Sequence, residues 1–106
     1  GDVSVTFLHT PGHTHGSQCF LFEDRLVSGD TLFIKGCGRV DTPNSDPEKM
    51  YRSLRKISGL PDKTVVFPGH NTADKPSSVL REEKTGNTFL LLAQQGLKDF
   101  LAALGW

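Results

Sequence analysis

The stretch HTPGHTHGS (residues 9–17), taken with VSGDTLF (27–33) and FPGH (67–70), decides how this chain is read. Each stretch follows a strand-like run and carries a side chain able to bind a metal: His13, Asp30 and His70. Residues at the ends of neighbouring strands converge in space although they are far apart in sequence, and the carboxyl ends of strands are where α/β proteins present chemistry. Two imidazoles with one carboxylate suit zinc, iron or manganese. With an open coordination position, such a metal brings the pKa of bound water to about 7 and makes a nucleophile at neutral pH. Taken singly, each histidine also has the ordinary reading of a polar surface residue or a hydrogen-bonded core residue.

Working outward, Val3 to His9 places Val3, Val5 and Phe7 on one face and Ser4 and Thr6 on the other, the pattern of a half-buried strand. Ser17 to Phe22 and Arg25 to Ser28, joined by Glu23-Asp24, read as a hairpin. Thr31 to Ile34 is a short apolar stretch, and Gly36-Cys37-Gly38 reads as a loop shaped by its glycines. A helix is expected from Pro47 to Ile57: Ser45 or Asp46 caps it, and Met50, Leu54 and Ile57 give it one apolar face with Tyr51 alongside. Gly59 and Pro61 end it. Thr64 to Phe67 is another strand, and Ser77 or Ser78 is expected to cap a helical segment containing Val79 to Lys84. From Thr88 to Leu104, Phe89, Leu92, Ala93, Leu97, Phe100, Leu101 and Leu104 recur at helical spacing, so an amphipathic terminal helix is expected, weakened at Gly96 by about 1 kcal/mol relative to alanine. Trp106 docks or frays. The architecture is α/β with a mixed sheet.

Bulk properties narrow the partners. The 106 residues suffice for one domain that buries about two-thirds of its unfolded surface. Twelve basic residues balance twelve acidic ones, and no block of like charge suggests nucleic acid or an anionic membrane. Cys19 and Cys37 form no CxxC pair and are too few for a disulfide framework, so a cytoplasmic protein is expected. No apolar run approaches the ~18 residues that span a bilayer, and the start lacks a signal-peptide pattern. The chain enters a strand-like segment almost at once, as a fragment of a larger domain would.

The segments HTPGHTHGS, VSGDTLF, KGCGR (35–39) and FPGH, in this order, resemble the carboxy-terminal part of metallo-β-lactamase-fold enzymes, especially type II glyoxalases and persulfide dioxygenases. The resemblance runs from Leu8 to about Leu90. It implies half of an αββα sandwich with helices on one face of the sheet, and the cofactor it implies is zinc or iron. His13 would bind the first metal, Asp30 would bridge two metals or bind a single one, and His70 would bind the second. His9 and His15 match no usual ligand and are expected as hydrogen-bonding neighbours of the site. Arg39 stands where glutathione-using relatives carry a basic residue near the thiol substrate, and a guanidinium holds a carboxylate through two hydrogen bonds. A solvated loop arginine is the alternative. GCGRVD and SSVLREEKTGN (77–87) look more like persulfide dioxygenases than glyoxalases, and Asn71-Thr72 departs from the acidic-plus-tyrosine pattern of many glyoxalases. Class B β-lactamase activity is not expected, because those enzymes use a cysteine that has no match here.

The family's HxHxDH motif is absent, which leaves three of its ligands and removes up to four. The resemblance implies a parent protein that acts on a small thiol or glutathione-type substrate, as a thioester hydrolase or a persulfide dioxygenase, and the missing motif implies that the isolated chain is inactive. The alternative is a non-catalytic half-domain that self-associates, its partner being either a second copy or a separate amino-terminal half. Cys37 is expected to be a packed residue of the glycine turn rather than a nucleophile, and Cys19 to be core.

Overall fold

The computed structural model describes residues 4–33, 36–38, 40, 45–69 and 76–105. Strands β1 (Thr6–His9), β2 (Gln18–Phe22) and β3 (Arg25–Gly29) form an antiparallel run. Strand β4 (Leu32–Phe33) pairs with β5 (Gly36–Cys37) in a small hairpin, so the expected glycine loop is partly strand. Helix α1 (Pro47–Ser58) leads to β6 (Val65–Pro68), which lies parallel to β3, and β7 (Ser78–Val79) closes the sheet antiparallel to β6. The sheet order is β1-β2-β3-β6-β7. Helices α2 (Leu80–Gly86), α3 (Thr88–Gln95) and α4 (Leu97–Ala103) follow. This is the expected α/β class with a mixed sheet.

Period-two alternation sorts the strand residues onto two faces. Leu21, Leu26 and Val66 are aligned across β2, β3 and β6 on the inner face. There Leu26 and Val66 join Met50, Leu54 and Ile57 of α1 with Leu80, Leu90, Ala93 and Phe100 of the later helices in one core, against which Leu21 packs. The aligned residues Phe7, Phe20, Val27 and Phe67 form a second row, on the opposite face. Phe7 stands 65 % exposed and Val5 47 %, so the apolar face of β1 turns away from the helices while Leu8 packs on the core. Alternation indicates two faces on β1. It carries no information about which one the helices cover.

Helix α1 starts where its residue types dictate. The Asp46 carboxylate accepts the Lys49 amide at 3.1 Å, and Pro47 occupies the first turn, where no hydrogen-bonded amide is required. Glu48 near the start and Arg55 and Lys56 near the end complement the helix dipole. The Gly59 amide closes the last turn on Ile57 and Lys56 carbonyls.

Two expectations are corrected. Neither Ser77 nor Ser78 caps α2: Ser78 belongs to β7, and its hydroxyl donates to the Glu83 carboxylate at 2.8 Å. The first amides of α2 find backbone partners instead, Leu80 N–H on the Thr64 carbonyl and Arg81 N–H on that of Asp62, so no side-chain cap is needed. The terminal helix is two helices. Gly96 adopts φ +152°, a region that side chains with a Cβ rarely enter, and breaks the rod into α3 and α4 while Leu90, Ala93 and Phe100 stay buried. Val3 and Trp106 lie outside the described residues. No helix among the described residues is long and apolar enough to cross a membrane.

Asp46→Ala removes the cap of α1 and is expected to lower stability by about 1 kcal/mol, read as a lower urea midpoint with unchanged m, whereas Asp46→Asn stays within a few tenths of a kcal/mol.

Candidate metal centre

The segment after β1 is held at both ends. Thr10 N–H donates to the Ser17 carbonyl at 2.9 Å, closing residues 10–17 into a loop. Its base lies on α1, where Asp46 N–H donates to the Gly12 carbonyl at 2.6 Å and the Ser53 hydroxyl to that of Pro11 at 2.7 Å. Gly12 has φ +144°, and a Cβ there would stand 2.5 Å from the Met50 Cα, so only glycine lets the loop approach the helix this closely.

Asp30 is aimed by an irregularity. The register of β3 on β6 slips between Val27 and Gly29, and Gly29 takes φ +52°, so the strand turns sharply as it ends. Thr31 N–H donates to the Ser28 carbonyl at 3.0 Å to complete the turn. The His13 loop and the Asp30 turn are fastened beneath the surface by a buried contact of 3.0 Å between the Thr10 and Thr31 hydroxyls. Cys19, buried in β2, lies 3.3 Å from the Thr10 hydroxyl and donates to the Ser28 carbonyl at 3.6 Å.

These constraints bring two of the expected ligands together. His13 Nε2 stands 3.9 Å from Asp30 Oδ2, with both side chains partly open to solvent at 28 % and 39 %. That gap is too long for a strong hydrogen bond. Two donors each about 2.0–2.1 Å from one tetrahedral ion stand roughly 3.4 Å apart, so a side-chain movement of about half an ångström would let both reach a single metal. The donor set, an imidazole and a carboxylate at the ends of adjacent segments, fits zinc or iron. Among the described residues no group of three or more His, Cys, Asp or Glu side chains is gathered to hold a metal.

The third expected ligand, His70, and the expected substrate residue, Arg39, lie outside the described residues. The backbone on either side of them is informative. Gly69 N–H donates to the Gly29 carbonyl at 2.7 Å, so the residue before His70 is bonded to the residue before Asp30. Gly38, the residue before Arg39, donates to the Thr31 carbonyl at 3.1 Å. A Cβ on Gly38 would collide with the Asp30 carbonyl oxygen and lie 3.0 Å from the His13 Cβ.

The expected neighbours, His9 and His15, meet each other. His9 Nε2 lies 2.9 Å from the His15 carbonyl oxygen. Both histidines line a cleft of about 300 Å³ together with Lys49, Arg52 and Lys56 of α1, separate from the His13–Asp30 pair. The Cys37 thiol is pushed up to about 12 by burial, which keeps it protonated and unsuited to nucleophilic attack at neutral pH. Burial likewise raises the Cys19 thiol.

Residues 1–70 match the metallo-β-lactamase superfamily. The chain belongs to that superfamily. A hydroxyacylglutathione hydrolase of Tolumonas auensis is 34 % identical over 98 % of the chain and 43 % of its own length. The crystal structure of ETHE1 from Myxococcus xanthus superposes with a TM-score of 0.87 at 34 % identity, covering 99 % of this chain and 46 % of that one. TTHA1623, solved in a di-iron-bound form, superposes with a TM-score of 0.73 at 37 % identity over 80 % of this chain and 42 % of its own. The chain thus spans less than half the length of these superfamily relatives, and its sheet and four helices share their fold.

Sequence reasoning passes over the residues that shape the candidate centre without being candidate ligands. Gly12 stands out only as part of a Pro-Gly pair, and Thr10 and Thr31 carry no signal beyond flanking the candidate ligands. Gly38→Ala is expected to separate His13 from Asp30 and to weaken zinc uptake by the intact protein at least tenfold, read by competition with a chromophoric chelator. Gly36→Ala, where a Cβ meets open space, is expected to leave uptake within about twofold.

Proposed function

We propose that this chain is the carboxy-terminal part of a metallo-β-lactamase-fold domain that acts on a small thiol or glutathione-type substrate, as a thioester hydrolase or a persulfide dioxygenase. The observation that carries the reading is the His13–Asp30 pair at 3.9 Å, fixed from both sides by glycine contacts and buried hydroxyls. His13 is assigned to the first metal, Asp30 to a bridging or single-metal role and His70 to the second metal, with Arg39 holding a substrate carboxylate. The metal, zinc or iron, supplies Lewis acidity that polarises the substrate and activates water near neutral pH. The chain's own contribution is to fix a candidate ligand pair and to hold Gly38, the residue before Arg39, against it.

The lengths of the relatives support an incomplete domain, whose remaining ligands and second sheet come from another segment. Elemental mass spectrometry of the protein after exchange into metal-free buffer tests the assignment. In the intact protein, near-stoichiometric zinc or iron that falls at least tenfold in His13→Ala and in Asp30→Ala is expected, whereas the 106-residue chain alone is expected to hold metal weakly or not at all. Retention of metal and turnover with alanine at both positions would sink the reading. The metal retained names the chemistry to assay, zinc pointing to thioester hydrolysis and iron to persulfide oxidation.

A second reading, a half-domain that self-associates, is supported by the row Phe7, Phe20, Val27 and Phe67 on the face of the sheet opposite the helices. Such a contiguous apolar face favours a partner sheet. On this reading the 106-residue chain sediments as a dimer, and a serine at both Phe7 and Phe67 shifts its dissociation constant upward by at least tenfold. A folded chain that is monomeric at all accessible concentrations excludes it.

A further inference from the structure

Behind the candidate centre lies a buried polar cluster that the metal ligands do not explain. Asn87, fully buried, caps α3 with its side-chain oxygen, which accepts the amides of Phe89 at 3.1 Å and Leu90 at 3.2 Å. A cap requires only that oxygen, and serine, threonine or aspartate would supply it as well. The amide nitrogen of Asn87 is committed elsewhere. It donates to the Gly36 carbonyl at 3.0 Å and to Glu83 Oε1 at 3.2 Å. Glu83, 3 % exposed, accepts the Ser78 hydroxyl on its other oxygen at 2.8 Å. The β4–β5 hairpin, α2 and the start of α3 therefore meet on Asn87, and β7 joins them through Glu83.

The hairpin it holds is the wall of the candidate centre. Gly36 pairs with Phe33 and Cys37 with Leu32, and Gly38 then donates to Thr31 beside Asp30 and abuts His13. We propose that Asn87 is a positioning residue, which through the Gly36 carbonyl fixes the hairpin that backs His13 and Asp30 and that leads in sequence to Arg39. The substrate role of Arg39 rests on the function proposed above. The hold on the hairpin does not. A donor is required at this position because the part-buried Gly36 carbonyl is reached by the buried Asn87 side chain, and a carbonyl turned inward without its donor is unfavourable. Loosening the hairpin relieves that penalty, and the ligand wall moves with it.

The double variant Glu83→Gln with Asn87→Asp separates this role from a merely structural one. The carboxylate introduced at position 87 keeps the α3 cap, and the amide introduced at position 83 donates back to it, so the buried pair is restored with its donor and acceptor reversed. Among the bonds described here, the one to Gly36 is lost, and a carboxylate oxygen takes the donor's place beside the Gly36 carbonyl. In the intact protein, amide exchange at Gly38 is expected to accelerate at least tenfold, while exchange at Leu91, whose amide bonds to the Asn87 carbonyl within α3, stays within about twofold. KM for the thiol substrate is expected to rise about tenfold with little change in kcat. Glu83→Gln alone, which leaves the Gly36 bond in place, is expected to match the parent in all three readings. Should the double variant fail to fold, Asn87→Ser, which keeps a capping oxygen and supplies no donor to Gly36, is expected to show the same contrast between Gly38 and Leu91. Unchanged exchange at Gly38, or a parallel rise at Gly38 and Leu91, overturns the proposal. If the intact protein turns over neither a thioester nor a persulfide, the functional reading fails while the exchange contrast still decides the role of Asn87.

Discussion

The parallel pairing of β3 with β6 is the constraint from which the rest of the structure follows. Two parallel strands cannot be joined by a tight turn, so the chain must cross over the sheet between them, and α1 lies on that crossover. Once Met50, Leu54 and Ile57 seat α1 on Leu26 and Val66, the helix is fixed at the height where its start meets Gly12 and where Ser53 reaches Pro11. The loop bearing His13 is thus positioned by a helix that follows it in sequence. The same pairing ends at Gly29 with a slipped register, and the bond from Gly69 to Gly29 fixes the turn that carries Asp30.

Precision at the site comes from polar contacts placed where apolar packing would be indifferent to small displacements. Thr10, Thr31, Cys19 and Ser28 tie β1, β2 and β3 together below the ligand pair, and Asn87 with Glu83 and Ser78 does so behind the hairpin. Among the described residues, no buried side-chain nitrogen or oxygen lacks a hydrogen-bond partner. A satisfied network of this kind specifies one geometry, because each displacement breaks a directional bond in a low-dielectric setting. The two glycine contacts, at Gly12 and Gly38, act in the opposite sense by removing the side chain that would keep segments apart.

The other face of the sheet is built to a different standard. Phe7, Phe20, Val27 and Phe67 give it an apolar row, with Phe7 edge-on to Phe20 at 5.2 Å and helices only on the far side. Members of the metallo-β-lactamase superfamily that match this chain are more than twice its span, and a face of this composition suits a second layer.

Alternation and residue type by themselves determined the β2–β3 hairpin, the span of α1 with its cap narrowed to Ser45 or Asp46, the place of Cys19 in the core and the superfamily to which the ordered motifs point. They also singled out His13 and Asp30 as candidate ligands, because residue types that bind metal stand out at strand ends. Tertiary structure alone decided which face of β1 is covered, since period-two alternation defines two faces and names neither as inner. It alone showed that Ser78 serves Glu83 rather than capping α2, because the partners of the first α2 amides come from Thr64 and Asp62, on a neighbouring segment. It alone brought Gly12, Gly38, Thr10, Thr31 and Asn87 against the segments that carry or back the candidate ligands. Their contacts join residues far apart along the chain, and no local pattern of spacing or polarity records a contact that exists only after the sheet and the crossover helix have met.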